Sequence, residues 1–252
     1  MIDKTLFSSS TDSRRTRSRG LVGLLGGHVS GRLELDLDDP DDATLGRWLV
    51  ASALLGGRQG EDVALATFRE LARSGLLDPG SLAAGDPLVI EGCLERARLR
   101  NADRAARLLV RLSEALQTRY HGSMERLAAA ADELADLAAS LSALAPGYGK
   151  AAVMRYLTPL RRHWHVAGDL PASPAVRAAA ADLGFIALHE DEESTPARLA
   201  RLLANDEPGG PASEDVPSLR DLEAALERLG RRACLRGTSG KCPLGAHCPR
   251  RA

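Results

Sequence analysis

Aromatic side chains are scarce in this sequence, since Phe, Tyr and Trp together make up only 3% of its 252 residues. Runs of β-branched residues, which are typical of strands, are also rare. Ala, Leu and Arg are abundant instead, and they lose little conformational freedom on entering a helix. The composition therefore predicts an all-α protein, and we identify no strand. A chain of this length can bury a core as one domain or two.

Long apolar segments are lacking too. No apolar run approaches the ~20 residues needed to span a bilayer. No apolar segment of the signal-peptide kind follows the N-terminal charges. We therefore expect a cytoplasmic protein without a membrane partner.

Cysteine is rare, but its few copies are clustered. Three of the four cysteines, Cys234, Cys242 and Cys248, lie within the fifteen residues 234–248. In a cytoplasmic protein such a cluster favours metal or iron–sulfur ligation over disulfides.

Positive charge is not in excess, because the formal net charge is −1. This value excludes a bulk basic field that would attract nucleic acid to the whole surface. Lysine occurs only as Lys4, Lys150 and Lys241, which makes Lys150 conspicuous in the middle of the chain. Residues 1–30, rich in Ser, Arg and Gly, lack apolar periodicity, and we predict a disordered basic tail there.

Helical periodicity begins at Thr44, which can cap a helix that runs through Leu54. Asn101 can cap a long helix with an apolar face. Pro, Gly and acidic residues at 205–217 predict a connector. The other helices are predicted at 61–74, 87–94, 124–130, 133–144, 150–160, 175–183, 195–204 and 218–230.

A short turn motif, Pro146-Gly147-Tyr148-Gly149, separates two of these predicted helices. Proline followed by glycines allows a tight turn with a positive φ. The next helix then begins immediately, so its free N–H groups and positive dipole end form an anion site, to which Lys150 adds a charge. A plain interhelical turn is the alternative interpretation.

With this motif the chain resembles the endonuclease III superfamily of base-excision DNA glycosylases, whose helix-hairpin-helix reads Leu-Pro-Gly-Val-Gly. Further similarities follow in family order from about Thr44 to Cys248. The family's Ser-Ala-Gln-Ala-Thr-Asp-Val corresponds to residues 57–63, and its Gly-Arg-x-x-Cys corresponds to residues 230–234. Residues 98–105 resemble the family's turn before its Lys-Ala helix, and residues 175–186 resemble the helix after its catalytic aspartate.

The resemblance implies two all-α domains around a DNA-binding cleft. One is a helical barrel with the helix-hairpin-helix, at residues 45–162. The other joins residues 31–44 to 163–252 and carries the Cys loop. It further implies a monomer, associated with the nucleoid, that binds double-stranded DNA. The implied DNA-binding residues are Gln59, which would fill the hole left by a flipped-out base, with Pro146, Gly147, Tyr148, Gly149 and Lys150.

The chain departs from the family at the catalytic positions. Ala151 stands where bifunctional members have the lysine that forms a Schiff base, and Lys150 is turned from it by about 100°. The family's catalytic aspartate corresponds to Asp169 when residues are counted from the hairpin, and to Ser173 when they are counted back from Leu183. We therefore expect a repair-type protein that recognises damaged or distorted duplex, with lyase activity lost. The alternatives are a monofunctional glycosylase that uses Asp169 and a non-catalytic scaffold.

The Cys loop departs as well. The family pattern has four cysteines and binds a [4Fe–4S] cluster. Here Cys234 fits the first position, Cys242 and Cys248 fit the last two, and Ser239 falls at the second. His247 is a candidate replacement ligand, because imidazole replaces thiolate in some iron–sulfur and many zinc sites. A [4Fe–4S] cluster, zinc and a loop without metal therefore remain three alternatives.

Overall fold

The computed structural model describes residues 14–56, 60–187, 191, 194–204, 216–237, 242–245 and 248. Across these residues the regular elements are all helices, which confirms the all-α prediction. Within the same ranges no helix is both long enough and apolar enough to cross a membrane.

The helices follow one another along the described residues with no strand between them. Single 3₁₀ turns lie at Thr158–Leu160, His165–Ala167 and Cys234–Arg236. The α-helices are α1 Arg14–Leu25, α2 Val29–Arg32, α3 Asp42–Leu55, α4 Glu61–Arg73, α5 Pro79–Ala84, α6 Pro87–Arg96, α7 Ala102–Tyr120, α8 Met124–Ala129, α9 Leu134–Ser142, α10 Lys150–Leu157, α11 Pro174–Asp182, α12 Ser194–Ala204 and α13 Leu219–Arg232.

The chain forms two compact units. One is Ser30–Leu170, which we call the hairpin unit. The other joins Met1–Val29 to Pro171–Ala252, and we call it the terminal unit. These bounds differ from the predicted 45–162 and 31–44 plus 163–252.

Residues 31–44 belong to the hairpin unit because they are tied to α4. Arg32 lies 2.7 Å from the Glu61 carboxylate and 2.8 Å from that of Asp62. Leu35 and Leu37 are buried. The helix that follows is capped by Asp41, whose carboxylate accepts the Thr44 N–H at 2.7 Å. The predicted cap, Thr44, therefore lies inside the first turn, because Asp41 supplies the acceptor three residues earlier.

The core of the hairpin unit is built around α3. Most of this helix is buried, and it packs against α4 and α10. The ring N–H of Trp48 donates to the carbonyl oxygen of Tyr156 at 3.0 Å, and both side chains are fully buried. Helix α7 packs against α5 and α6 in the same unit. Trp48 thus connects α3 to the helix that follows the turn motif.

In the terminal unit, Arg14–Leu25 forms a helix. The prediction of a disordered tail over residues 1–30 is therefore wrong for this segment. Leu21 of this helix is completely buried in a cluster formed with α11, α12 and α13. The Arg17 guanidinium donates to the carbonyl oxygen of Leu183 at 3.0 Å. The few apolar residues of α1 are thus sufficient to anchor it once α11 and α13 supply a surface.

Helices α11 and α13 approach each other closely at Gly230. A Cβ at this position would collide with the carbonyl group of Ala175. Helix α13 also holds the segment that follows α1, since the Asp221 carboxylate accepts the His28 N–H at 2.7 Å. The Arg228 guanidinium donates to the carbonyl oxygens of Gly26 and Gly27. The terminal unit is therefore closed by contacts between the two ends of the sequence.

Candidate nucleic-acid interface

The turn between α9 and α10 has the geometry that its sequence predicts. The Tyr148 N–H donates to the carbonyl oxygen of Ala145 at 3.0 Å, which closes a four-residue turn. Pro146 occupies its second position, and Gly147 occupies the third with φ +104°. This combination is that of a type II turn, in which the third residue requires a positive φ. Gly149 has φ −86°, so only the first glycine of the motif needs its conformational freedom.

Helix α10 begins directly after this turn with its backbone donors uncovered. Gly149 is the N-cap residue and has no side chain to accept a hydrogen bond. Its carbonyl oxygen accepts the N–H groups of Ala152 and Val153. The N–H groups of Lys150 and Ala151 have no acceptor within the described residues. Because Gly149 and Lys150 are exposed, these donors and the positive end of the helix dipole are open to an anion.

Tyr148 lies in the core, where its side chain has a different role from the predicted DNA contact. It is 1% exposed, and its hydroxyl oxygen is 2.7 Å from Ser52 Oγ. Ser52 in turn donates to the carbonyl oxygen of Leu49 at 2.8 Å. Burial raises the pKa of Tyr148 well above its usual range. The ring therefore anchors the turn to α3, and the turn presents its backbone outward.

The other predicted hairpin residues are placed at the surface. Pro146, Gly147, Gly149 and Lys150 are all exposed. A Cβ on Gly149 would meet no atom within 4 Å, so the approach to this residue is open. Gln59, the predicted wedge, lies outside the described residues.

The two candidates for the catalytic aspartate position fall in different units. Asp169 is an exposed residue of the hairpin unit, just after the 3₁₀ turn His165–Ala167. Ser173 belongs to the terminal unit, where it caps α11 by accepting the Val176 N–H at 3.2 Å. Its hydroxyl donates to the carboxylate of Glu227 on α13. Glu227 therefore places a carboxylate beside Ser173, which the sequence did not reveal because it results from the packing of α11 on α13.

A second carboxylate arrangement lies in the hairpin unit. Oε1 of Glu125 is 2.6 Å from Nε2 of His163, and Oε2 accepts the ring N–H of Trp164 at 3.1 Å. The rings of Trp164 and Tyr156 are in contact, with centroids 5.8 Å apart. The Glu125 carboxylate therefore fixes the orientation of the His163 and Trp164 rings. This pairing could not be predicted from local sequence patterns, since 38 positions separate Glu125 from His163.

The three clustered cysteines pack against one core in the terminal unit. Cys248 is buried, and Cys234 and Cys242 are partly buried against the same cluster. Burial raises the pKa of the Cys234 thiol to about 12, with further contributions from the Asp182 carboxylate and from the other two cysteines. Cys93 lies in the hairpin unit, where its thiol donates to Ser74 Oγ at 3.3 Å.

These thiols do not form a complete metal site within the part of the chain that the structure describes. No group of three or more His, Cys, Asp or Glu side chains there has an arrangement that could hold a metal ion. His247 and Ser239 lie outside the described residues.

The comparisons with known proteins add no family to this picture. The resemblance to the endonuclease III superfamily rests on the sequence motifs described above. A scan against protein-family models gave no match, and neither did a search of the curated proteins.

Proposed function

We propose that this protein binds double-stranded DNA through residues 145–150, as an endonuclease III-like protein of base-excision repair type that recognises damaged or distorted duplex. The observation that carries the proposal is the type II turn at Pro146 and Gly147, which leads directly into the uncovered N-terminus of α10. Two free backbone N–H groups and the exposed Lys150 are suited to one phosphate group of the DNA backbone.

Such a contact is independent of base sequence, because it is made to phosphate by backbone donors and one ammonium group. It fits a protein that must sample many positions on DNA before it meets a distorted one. Recognition of the distortion would then fall to Gln59, which we propose as the side chain that enters the duplex.

Binding is favoured over base removal by the position of Asp169. A carboxylate that stabilises positive charge on a sugar acts most strongly where water is excluded. Asp169 is exposed instead. Strand cleavage through a Schiff base requires a lysine at the position of Ala151, and Lys150 is about 100° away around the helix.

Fluorescence anisotropy with labelled duplexes tests the proposal. The panel contains an undamaged duplex, a mismatch and an abasic-site analogue at low salt. We expect binding by the wild-type protein, with higher affinity for the distorted duplexes. Lys150→Glu, alone and combined with Gly147→Pro, should lower the affinity. Arg201→Glu makes the same change in charge on α12 and serves as the control. Circular dichroism melts establish that each variant is folded.

Two further outcomes separate the alternatives. Release of free base from a damaged duplex would establish glycosylase activity, and loss of that activity in Asp169→Asn would assign it to this residue. Absence of binding to every duplex at low salt would favour a scaffold.

Borohydride treatment with abasic DNA should trap no covalent adduct, because the Schiff-base lysine is missing.

Metal analysis of the purified protein distinguishes the three cofactor alternatives, a [4Fe–4S] cluster, zinc and no metal. Iron and sulfide with a broad visible absorption band would identify a [4Fe–4S] cluster held by Cys234, Cys242 and Cys248. Stoichiometric zinc would identify a zinc site, with His247 as the proposed fourth ligand. Protein that contains neither metal after anaerobic purification would favour a loop without metal. No part of the binding proposal depends on the result.

A further inference from the structure

Helix α7 runs beside the hairpin, as one close approach and one hydrogen bond show. A Cβ built on Gly147 would lie 3.8 Å from Cδ1 of Leu108. Further along α7, the guanidinium of Arg119 donates to the carbonyl oxygen of Ala143 at 3.1 Å. The face of α7 that contains Leu108 and Arg119 therefore borders the turn from its beginning to Gly147.

Two exposed arginines lie on the same side of α7, next to Leu108. Arg104 precedes Leu108 by four residues and Arg111 follows it by three. At about 100° per residue, these side chains are turned from Leu108 by about 40° and about 60° in the same direction. They therefore form a line parallel to the helix axis, at the border with the turn.

These two arginines differ from neighbouring arginines of α7 in the interactions of their guanidinium groups. Arg107 forms an ion pair with Asp103 one turn earlier. The Arg119 guanidinium donates to the carbonyl oxygen of Ala143. Within the described residues, the side chains of Arg104 and Arg111 form neither a hydrogen bond nor an ion pair, and both are exposed. Two guanidinium groups thus remain available beside the uncovered N-terminus of α10.

The spacing of these two arginines matches the repeat of a nucleic-acid backbone. Seven residues of α-helix correspond to about 10 Å along the axis. One DNA strand rises about 3.4 Å per nucleotide, so this distance covers about three nucleotides. Guanidinium groups form strong, charge-assisted hydrogen bonds with phosphate oxygens.

We infer that Arg104 and Arg111 on α7 form a second phosphate-binding strip beside the hairpin, which extends the contact with the DNA backbone over several nucleotides. The inference rests on the proposed DNA binding and adds the direction in which the strand leaves the hairpin. It assigns α7 a binding face in addition to its packing against α5 and α6.

The salt dependence of duplex affinity tests this strip. Each phosphate contact contributes about 0.9 to the slope of log affinity against log salt concentration. Arg104→Ala combined with Arg111→Ala should therefore reduce the magnitude of the slope by about 2. The affinity ratio of wild type to variant should shrink roughly tenfold between about 50 and about 200 mM salt, the range over which that slope difference acts. The loss should be equal for different base sequences.

A second pair of arginines provides the matched control. Arg73 and Arg96 are exposed in the same unit, and both are paired with Glu70. Arg73→Ala combined with Arg96→Ala removes the same charge and should leave the slope unchanged. Arg104→Lys combined with Arg111→Lys should keep a slope close to that of the wild type, because the charges remain. Thermal unfolding confirms that each variant is folded.

The outcomes distinguish this inference from the proposed function. If the wild type binds duplex and the Arg104 and Arg111 variant keeps the wild-type slope, the strip is excluded and hairpin binding stands. An equal loss in the Arg73 and Arg96 control would also exclude the strip, since it would reflect overall charge. If the wild type binds no duplex at low salt, the proposed function and the strip are both excluded.

Discussion

The hydroxyl oxygen of Tyr148 lies 2.7 Å from Oγ of Ser52, in the core of the hairpin unit. This hydrogen bond connects the turn to α3, the most buried helix of that unit. The turn is therefore anchored on its buried side by Tyr148, while Gly149 and Lys150 remain exposed to solvent. Such rigidity would favour the proposed anion site, because N–H groups that are already held in place lose less conformational freedom when a ligand binds.

Tyr148→Phe should lower the free energy of unfolding by about 1 kcal/mol, since it removes one buried hydrogen bond and keeps the ring. Ser52→Ala should have a larger effect, about 1–3 kcal/mol, because it leaves the phenol hydroxyl buried without a partner. Urea unfolding of both single variants and the double variant measures the coupling. A double variant whose loss equals the sum of the single losses would contradict the bond. If the proposed DNA binding is correct, duplex affinity of Tyr148→Phe should match the wild type, since the side chain is buried.

Gly147→Ala should destabilise the protein by about 1–2 kcal/mol, because φ +104° is strained for any residue with a Cβ. Gly149→Ala is the matched control. Its φ of −86° suits alanine, and its surroundings are open, so it should lose less stability than Gly147→Ala, with only the N-cap preference for glycine over alanine removed. Chemical denaturation measures both values. Equal stability of the two variants would contradict the type II turn.

Gly230→Ala should destabilise the terminal unit by about 2–3 kcal/mol, because the added methyl group collides with the backbone of Ala175. Backbone atoms of two packed helices cannot move aside as a flexible side chain can. Gly31→Ala in α2 is the control, since no atom lies within 4 Å of its Cβ position. Thermal unfolding compares the two, and a Gly230→Ala protein as stable as the control would show that α11 and α13 are further apart.

His28 should make stability depend on pH. Desolvation lowers its pKa from 6.5 to about 3, and the charges of Arg220 and Arg228 act in the same direction, whereas the Asp221 charge opposes them. Between these two values the unfolded chain binds a proton that the folded chain does not. The free energy of unfolding should therefore fall as pH decreases, by about 1.4 kcal/mol per pH unit from this residue.

Urea unfolding from pH 7 downward measures this effect. The wild type should lose stability faster than His28→Gln, in which the titrating group is absent, over the window from about pH 6 to about pH 4. The difference between the two curves isolates His28 from the carboxylates that titrate in both proteins. Parallel curves would contradict a neutral, desolvated His28.

The sequence predicted those features whose information is local. Pro146 followed by Gly147 determines the turn type, and the periodicity on either side determines the flanking helices. The position of Tyr148 was not predictable in this way, because its partner Ser52 lies 96 residues earlier. Nor was α1, whose many arginines hide the few apolar positions that pack on helices from the other end of the chain.

The candidate site shows the same division. Lys150 is conspicuous in the sequence and is exposed at the helix N-terminus as expected. Arg104 and Arg111 could not be distinguished from the other arginines of α7 by composition. Their distinction depends on the close approach of Leu108 to Gly147 and on the pairing of Asp103 with Arg107. Both facts belong to the tertiary structure.

The hydrogen bond from the His28 N–H to Asp221 joins positions 193 apart in the chain. Such a contact cannot form during synthesis until the ribosome has released α13. The hairpin unit, which is continuous in sequence, has emerged by then and can fold first. We therefore expect α1 to pack into its unit only after the hairpin unit has folded. Nascent chains truncated after Leu170 should already contain a protease-resistant hairpin unit.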